Sequence, residues 1–204
     1  MKKIAIITTH PIQYQIPLFK QFRKNIEAHV FFASSHGYKS KKKDKEFRVR
    51  LNWDQYKNPL QGFKSYFSKS QKYSIFEFKL SFSNLEYFFK KNRFDAVLIF
   101  GWNNLFYLKS LFLAKKYKIK TILRVETNLK LKISLFKKTF KFFVLKFFFR
   151  FIDAFLYIGN LNKIFLIYHG VPKKKLFYAP YFVDNNFFKK KKFKNFKKKI
   201  NLND

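Results

Sequence analysis

The sequence predicts an α/β domain of Rossmann-like type, a mostly parallel sheet with helices on both faces. Three observations predict it. Short, nearly continuous apolar runs recur along the chain, as strands covered on both faces require. Segments with helical spacing separate them. Polar turns holding Thr, His, Gly and Asn follow the carboxyl ends of the runs, where ligands of such sheets sit.

Residues 3–8, Lys-Ile-Ala-Ile-Ile-Thr, read as the first strand. The turn 9–14, Thr-His-Pro-Ile-Gln-Tyr, stops it, and a helix opens at Gln15 with Pro17 in its first turn, where proline is tolerated. A second strand at 29–33 ends in Ser34-Ser35-His36-Gly37. Residues 39–74 are polar and irregular, with Pro59 and Gly62 as breakers, and read as a long loop region. A third strand is expected at 75–80.

Ser83-Asn84-Leu85-Glu86 then matches a capping box that starts a helix to about residue 92. Strand 96–100 ends in Gly101-Trp102-Asn103-Asn104, and helix 105–117 leads to strand 121–125 and the turn Glu126-Thr127-Asn128. A long helix covers 134–151. Strand 154–158 follows, then helix 161–169 closed by Gly170, with Pro172 preventing its continuation. The last strand is 176–179. Asp95 and Asp153 each precede a buried strand and read as structural acids at its amino end. A single domain is expected over 1–184, followed by a lysine-rich linker or tail over 185–204.

Composition narrows the function. At 204 residues and 48% hydrophobic, the chain can bury one full core. It has no cysteine, which excludes thiolate chemistry and disulfides and fits a reducing, cytoplasmic setting. Lys2 and Lys3 precede only a short apolar run, unlike a secretory signal. The balance of 45 Lys+Arg against 11 Asp+Glu gives +34, which favours an anionic partner, either acidic lipid or nucleic acid. A coding bias toward Lys, Phe, Ile and Asn would produce the same excess. The tail 189–199 interleaves Lys with Phe as an RNA-binding segment would, but no nucleic-acid fold signature accompanies it, and nucleic acid is the less favoured partner.

The most apolar stretch, 140–158, is interrupted by Lys141, Lys146, Arg150 and Asp153, so a peripheral membrane contact is expected rather than a span. Within helix 134–151, Phe136, Phe140, Phe143, Phe147 and Phe151 form a stripe that reads as core. The other side, with Lys137, Lys138, Lys141, Phe142 and Phe149, mixes cations with aromatics and reads as membrane-facing. Contact with a missing domain, or simple compositional excess, is the alternative for that side.

Four turns collect at the carboxyl ends of the strands, 9–14, 34–38, 101–104 and 126–128. They bring together His10, His36, Trp102, Arg124 and Glu126 with several amides, a set that suits hydroxyl-rich ligands. His10 can instead be a turn histidine, Arg124 and Glu126 a structural ion pair, and Trp102 a cap on the core. The histidines His10, His29, His36 and His169 lack metal-ligand spacing, so no metal is expected. No GxGxxG follows the first strand, and neither a Walker A motif nor a Gly-x-Ser-x-Gly elbow occurs.

Several of these segments, in this order, resemble the acceptor-side domain of GT-B glycosyltransferases of family four. They are the run 8–19 with its His-Pro-Ile-Gln-Tyr, Phe94-Asp95-Ala96-Val97-Leu98, Gly101-Trp102-Asn103, the run 124–129 beginning Arg-Val-Glu-Thr-Asn, the run 153–159 beginning Asp-Ala-Phe-Leu, Tyr168-His169-Gly170-Val171-Pro172, and the run 179–185, Ala-Pro-Tyr-Phe-Val-Asp-Asn. The resemblance covers residues 1 to about 188. It implies one half of a GT-B architecture, from a retaining, metal-independent sugar transferase acting on a cell-envelope or lipid-linked glycan acceptor at the cytoplasmic membrane face. By resemblance, His10 and Glu126 lie near sugar transfer, and Gln13, Tyr14, Gly101, Trp102, Asn103, Arg124, Thr127 and Asn128 shape the acceptor cleft. The nucleotide-sugar donor is expected on a C-terminal half that these 204 residues do not include, supplied by a separately encoded domain or lost in a fragment or relic. No cofactor is expected on this chain itself.

Overall fold

A computed structural model describes residues 1–12, 14–22, 25–35, 60–68, 84–129, 134–182 and 185. Among these residues, seven parallel strands form one sheet in the order β3-β2-β1-β4-β5-β6-β7. They are β1 Lys2–Thr8, β2 Ile26–Phe32, β3 Lys64–Phe67, β4 Ala96–Ile99, β5 Lys120–Arg124, β6 Ala154–Tyr157 and β7 Leu176–Tyr178. The helices are α1 Gln15–Phe22, α2 Leu85–Asn92, α3 Leu105–Lys116, α4 Leu135–Phe149 and α5 Asn160–Tyr168. The chain grows outward from β1 in one direction through β2 and β3, then in the other through β4 to β7. Right-handed crossovers in opposite directions put their helices on opposite faces.

Side-chain alternation sorts the core accordingly. Ala5 and Ile7 of β1 join Val97, Ile99, Leu123 and Phe155 under α2, α3, α4 and α5. Ile6 joins Val30, Phe32 and Leu98 under Ile16 and Phe19 of α1. Phenylalanine does much of the filling: Phe19 meets Phe63 and Phe100 edge-on, and Phe149 meets Phe155 and Phe165. Edge-to-face contacts of this kind add to what burial alone contributes.

At the amino end, Asp95 Oδ2 accepts from the backbone N–H of Lys3 at 2.8 Å. Asp153 Oδ2 does the same for Thr121 at 2.8 Å and also accepts from its hydroxyl at 2.8 Å and from Lys115 Nζ at 2.9 Å. The two aspartates therefore act as structural acids that clamp neighbouring strands. At the β2 edge, buried His29 bonds Glu27 Oε1 at 2.9 Å and the Tyr66 hydroxyl at 3.2 Å, joining β3 to β2.

Helix ends follow their chemistry. Gly170 (φ +84°) closes α5: its N–H donates to Ile167 O and that of Val171 to Leu166 O. This pair of bonds defines a Schellman motif. An equivalent pair, Lys118 to Lys115 and Ile119 to Ala114, closes α3, with Lys118 at φ +55° in the glycine position.

Three expectations need correction. A strand, β3, lies at Lys64–Phe67, inside the stretch read as loop, because its partners His29 and Phe31 supply a stacking surface for Tyr66. Helix α2 has Asn84 as its N-cap rather than Ser83, and Glu86 binds Lys116 Nζ at 2.6 Å and the Tyr117 hydroxyl at 3.0 Å on α3. In α4 the two stripes are exchanged. Phe149 and Leu145 are buried against Phe155 and Phe165, and Phe142 packs on Tyr168 and His169. Phe136, Phe140, Phe143, Phe147 and Phe151 are exposed, Phe136 by 83%. The helix is apolar on both sides, so its period could not say which side meets the sheet. The expected strand 75–80, Ser83 and the tail lie outside the described residues.

Candidate functional site

Strand order reverses between β1 and β4, and a cleft of about 230 Å³ opens at their carboxyl ends and that of β5. This is where parallel α/β sheets place ligands. The β1 wall consists of Thr8, Thr9, Ile12, Tyr14 and Gln15; the β4 wall of Phe100, Gly101, Trp102, Asn103 and Tyr107; and the floor of Arg124, Val125, Glu126 and Thr127.

Each wall is held from behind. Thr8 donates its hydroxyl to buried Gln15 at 3.2 Å, tying the end of β1 to the first residue of α1. Asn104 caps α3 by accepting from the Tyr107 N–H at 3.0 Å, which presses the Tyr107 ring against Gly101. A Cβ at Gly101 would lie 2.6 Å from that ring, and φ +140° is itself glycine territory. Buried Asn162 of α5 donates to Thr127 O at 2.9 Å and accepts from Ile158 N–H at 3.2 Å, fixing the turn after β5.

Arg124 forms the floor. It ends β5, is 5% exposed, and alternates onto the same side of the sheet as Ile122. Its Cζ lies 5.7 Å from the Phe100 ring centre and 5.4 Å from that of Tyr181. Among the described residues its buried Nε has no hydrogen-bond partner. Glu126 does not pair with it; among the described residues no ion pair joins the two. Glu126 is exposed and accepts from the Tyr181 hydroxyl. Burial, and then that bond, push the Tyr181 phenol well above the usual range. Burial and the charge of Glu126 raise Tyr14, whose ring meets Tyr181 edge-on at 5.4 Å. Both phenols are therefore neutral donors at physiological pH.

Among the sequence-predicted residues, Tyr14, Gly101, Trp102, Asn103, Arg124, Glu126 and Thr127 line the cleft. His10 and Asn128 do not; His10 Nδ1 pairs with the Thr9 hydroxyl at 3.0 Å. Gln13 and His36 fall outside the described residues. Lys137 and Lys138 are exposed, whereas Lys141 turns toward the cleft, its Nζ 5.5 Å from the Trp102 ring, and burial lowers its pKa. Sequence reasoning missed Gln15, Phe100, Tyr107, Asn162 and Tyr181 as site residues. Position next to the predicted turns marks the first three; nothing local marks Asn162 or Tyr181, which arrive through tertiary packing. Among the described residues no group of His, Asp and Glu is placed to hold a metal.

No protein-family model matches the chain, and no curated protein matches it. Solved structures do. The chain is similar to UDP-N-acetylglucosamine 2-epimerase from Rickettsia bellii, with a TM-score of 0.65 and 16% identity over 100% of this chain and 52% of that one. It is also similar to Anabaena Alr3699/HepE, solved with UDP and glucose, with a TM-score of 0.56 and 10% identity over 92% of this chain and 46% of that one. The chain thus spans about half the length of the structures it matches. At these identities the likeness is one of fold, and that fold is a Rossmann-like α/β domain of the GT-B glycosyltransferase-like kind.

Proposed function

We propose that this domain is the acceptor-side half of a retaining GT-B sugar transferase of family-four type, acting on a cell-envelope or lipid-linked glycan precursor. The observation that carries the reading is the switch-point cleft, where an indole, two phenols, a carboxylate and side-chain amides converge. Aromatic faces stack on sugar rings, and carboxylates and amides bond hydroxyls. Alr3699/HepE, similar in fold, was also solved with UDP-glucose. The donor nucleotide would be held by a second Rossmann-like half. Glu126 is the group suited to draw a proton from an acceptor hydroxyl, because it is accessible and already accepts from a phenol. His10 would act from the rim, through the turn it shares with Thr9.

The reading includes a peripheral seat on an anionic membrane. No described helix is long and apolar enough to cross one. The outward stripe Phe140, Phe143, Val144 and Phe147, beside exposed Lys137 and Lys138, has the mixed apolar and cationic character of an interfacial helix. Co-sedimentation with anionic vesicles should fall at least tenfold in the Phe140→Ser/Phe147→Ser variant, with little change for Phe112→Ser on α3.

Ligand-observed NMR with mono- and disaccharides tests the cleft. Saturation transfer to sugar protons is expected, and it should be lost in Trp102→Ala. The purified chain is expected to turn over no sugar nucleotide; measurable turnover would sink the two-half reading.

A further inference from the structure

We propose that the ligand of this cleft carries an oxyanion, a carboxylate or a phosphate, that docks on the guanidinium of Arg124. The inference rests on the reading of the cleft as an acceptor site and adds the chemical class of that acceptor. Position 124 ends a central parallel strand, on the side of the sheet that Ile122 and Leu156 also face. An aliphatic residue would fill such a place without desolvating a charge. Burying a cation is costly unless it is paired and hydrogen-bonded. Here no carboxylate pairs with it among the described residues, and Nε, shut from solvent, donates to nothing. The Phe100 and Tyr181 rings offset part of the cost by cation–π attraction. They leave Nε, an in-plane donor, unfilled. With a terminal N–H of the same guanidinium, Nε forms a fork that matches two oxygens of a carboxylate or phosphate.

The charges around the fork give the ligand a direction. Glu126, the more exposed of the two, repels an anion near it, whereas Arg124 is buried beside it. Lys141, held over Trp102, adds positive potential on the β4 wall. An acidic sugar therefore enters with its oxyanion inward on Arg124 and a hydroxyl outward toward Glu126. A neutral sugar would leave Nε orphaned.

The test titrates the whole chain with glucose, glucuronate and glucose 6-phosphate at fixed ionic strength, reading the Trp102 ring signals by NMR. Arg124→Gln, Arg124→Lys and the surface control Lys173→Gln are compared, each checked for folding by thermal melting. At least one acid should bind ten or more times more tightly than glucose, and the better acid identifies the oxyanion. The gain should vanish in Arg124→Gln, shrink in Arg124→Lys, which keeps charge without the fork, and persist in Lys173→Gln. Glucose binding as well as the acids would overturn the inference and leave the acceptor reading standing. An acid preference that survives Arg124→Gln would assign it to surface lysines and overturn it too. An Arg124→Gln chain that fails to fold would mark the residue as structural, with the same consequence. Absence of binding by all three sugars would overturn both readings together.

Discussion

At the amino end of the sheet, Asp95 and Asp153 do one task at two equivalent places; at the carboxyl end, Arg124 and Glu126 share a cleft without pairing. Each aspartate sits before its strand, accepts from the backbone of the neighbouring strand, and returns a bond through its own N–H, to Lys3 O at 2.9 Å and Thr121 O at 3.1 Å. The backbone N–H groups of Lys3, Asp95, Thr121 and Asp153 all find acceptors in these clamps. Arg124 is the reverse: a charge buried at the cost of its solvation, with a donor left over. Satisfied polar groups stabilise a fold, whereas a protein keeps an unsatisfied one where something other than stability requires it. The contrast tells which end holds the sheet together and which end carries a buried charge with a donor left over.

The strongest way to break the carboxyl end is Gly101→Ala. The new methyl meets Tyr107 in a backbone conformation that disfavours it, so a loss of about 2–4 kcal/mol is expected in urea unfolding. Next is the amino-end clamp. Asp153→Ala leaves the Thr121 N–H and the Lys115 ammonium without their acceptor, and should cost about 2 kcal/mol.

The same clamp should show in acid. Partial burial pulls the Asp153 carboxyl up, but the bonds from Lys115 and Thr121 outweigh it and hold the pKa at about 2. A carboxyl depressed in the folded state stabilises fully above its ordinary value near 4 and loses that contribution as pH falls toward 2. Asp153→Asn should flatten the melting temperature over that window, and Asp95→Asn should do so more weakly, because its carboxylate is more exposed.

Asn162→Ala should come third, at about 1–2 kcal/mol. Its readout sharpens the comparison: hydrogen exchange at residues 126–128 should quicken while the aspartate clamps stay protected. Arg124→Met should leave the melting temperature unchanged or raise it, the opposite sign to Asp153→Ala, since it removes an unsatisfied buried donor. The smallest effect belongs to Lys118→Gly. Lys118 holds φ +55° at the end of α3, and glycine there should add about 0.5–1 kcal/mol of stability, measured by thermal melting.

Much of the fold was legible because parallel strands buried on both faces must be apolar throughout. Runs such as Ile4–Ile7 and Val97–Ile99 declare themselves, and an Asp directly before such a run has little to bind except the next strand. β3 was not legible: Lys64-Ser-Tyr-Phe carries no continuous apolar run, and its pairing rests on Tyr66 stacking over His29 and Phe31. Helix α4 was half legible. Two phenylalanine stripes satisfy one period, and contact with Phe155 and Phe165 decided between them.

The site divides in the same way. The cleft's place was legible, because turns after parallel strands converge at the switch point, and that marked Trp102, Arg124 and Glu126 as neighbours, while the resemblance added Tyr14 and Asn103. Only the tertiary structure decided how those residues work. It brought Tyr181 from beyond β7 to cover Arg124 and to bond Glu126, so that the two charges face one cavity unpaired. Periodicity reports which residues are buried along one element; whether a buried charge finds a partner depends on side chains that distant segments deliver, and no local pattern encodes it.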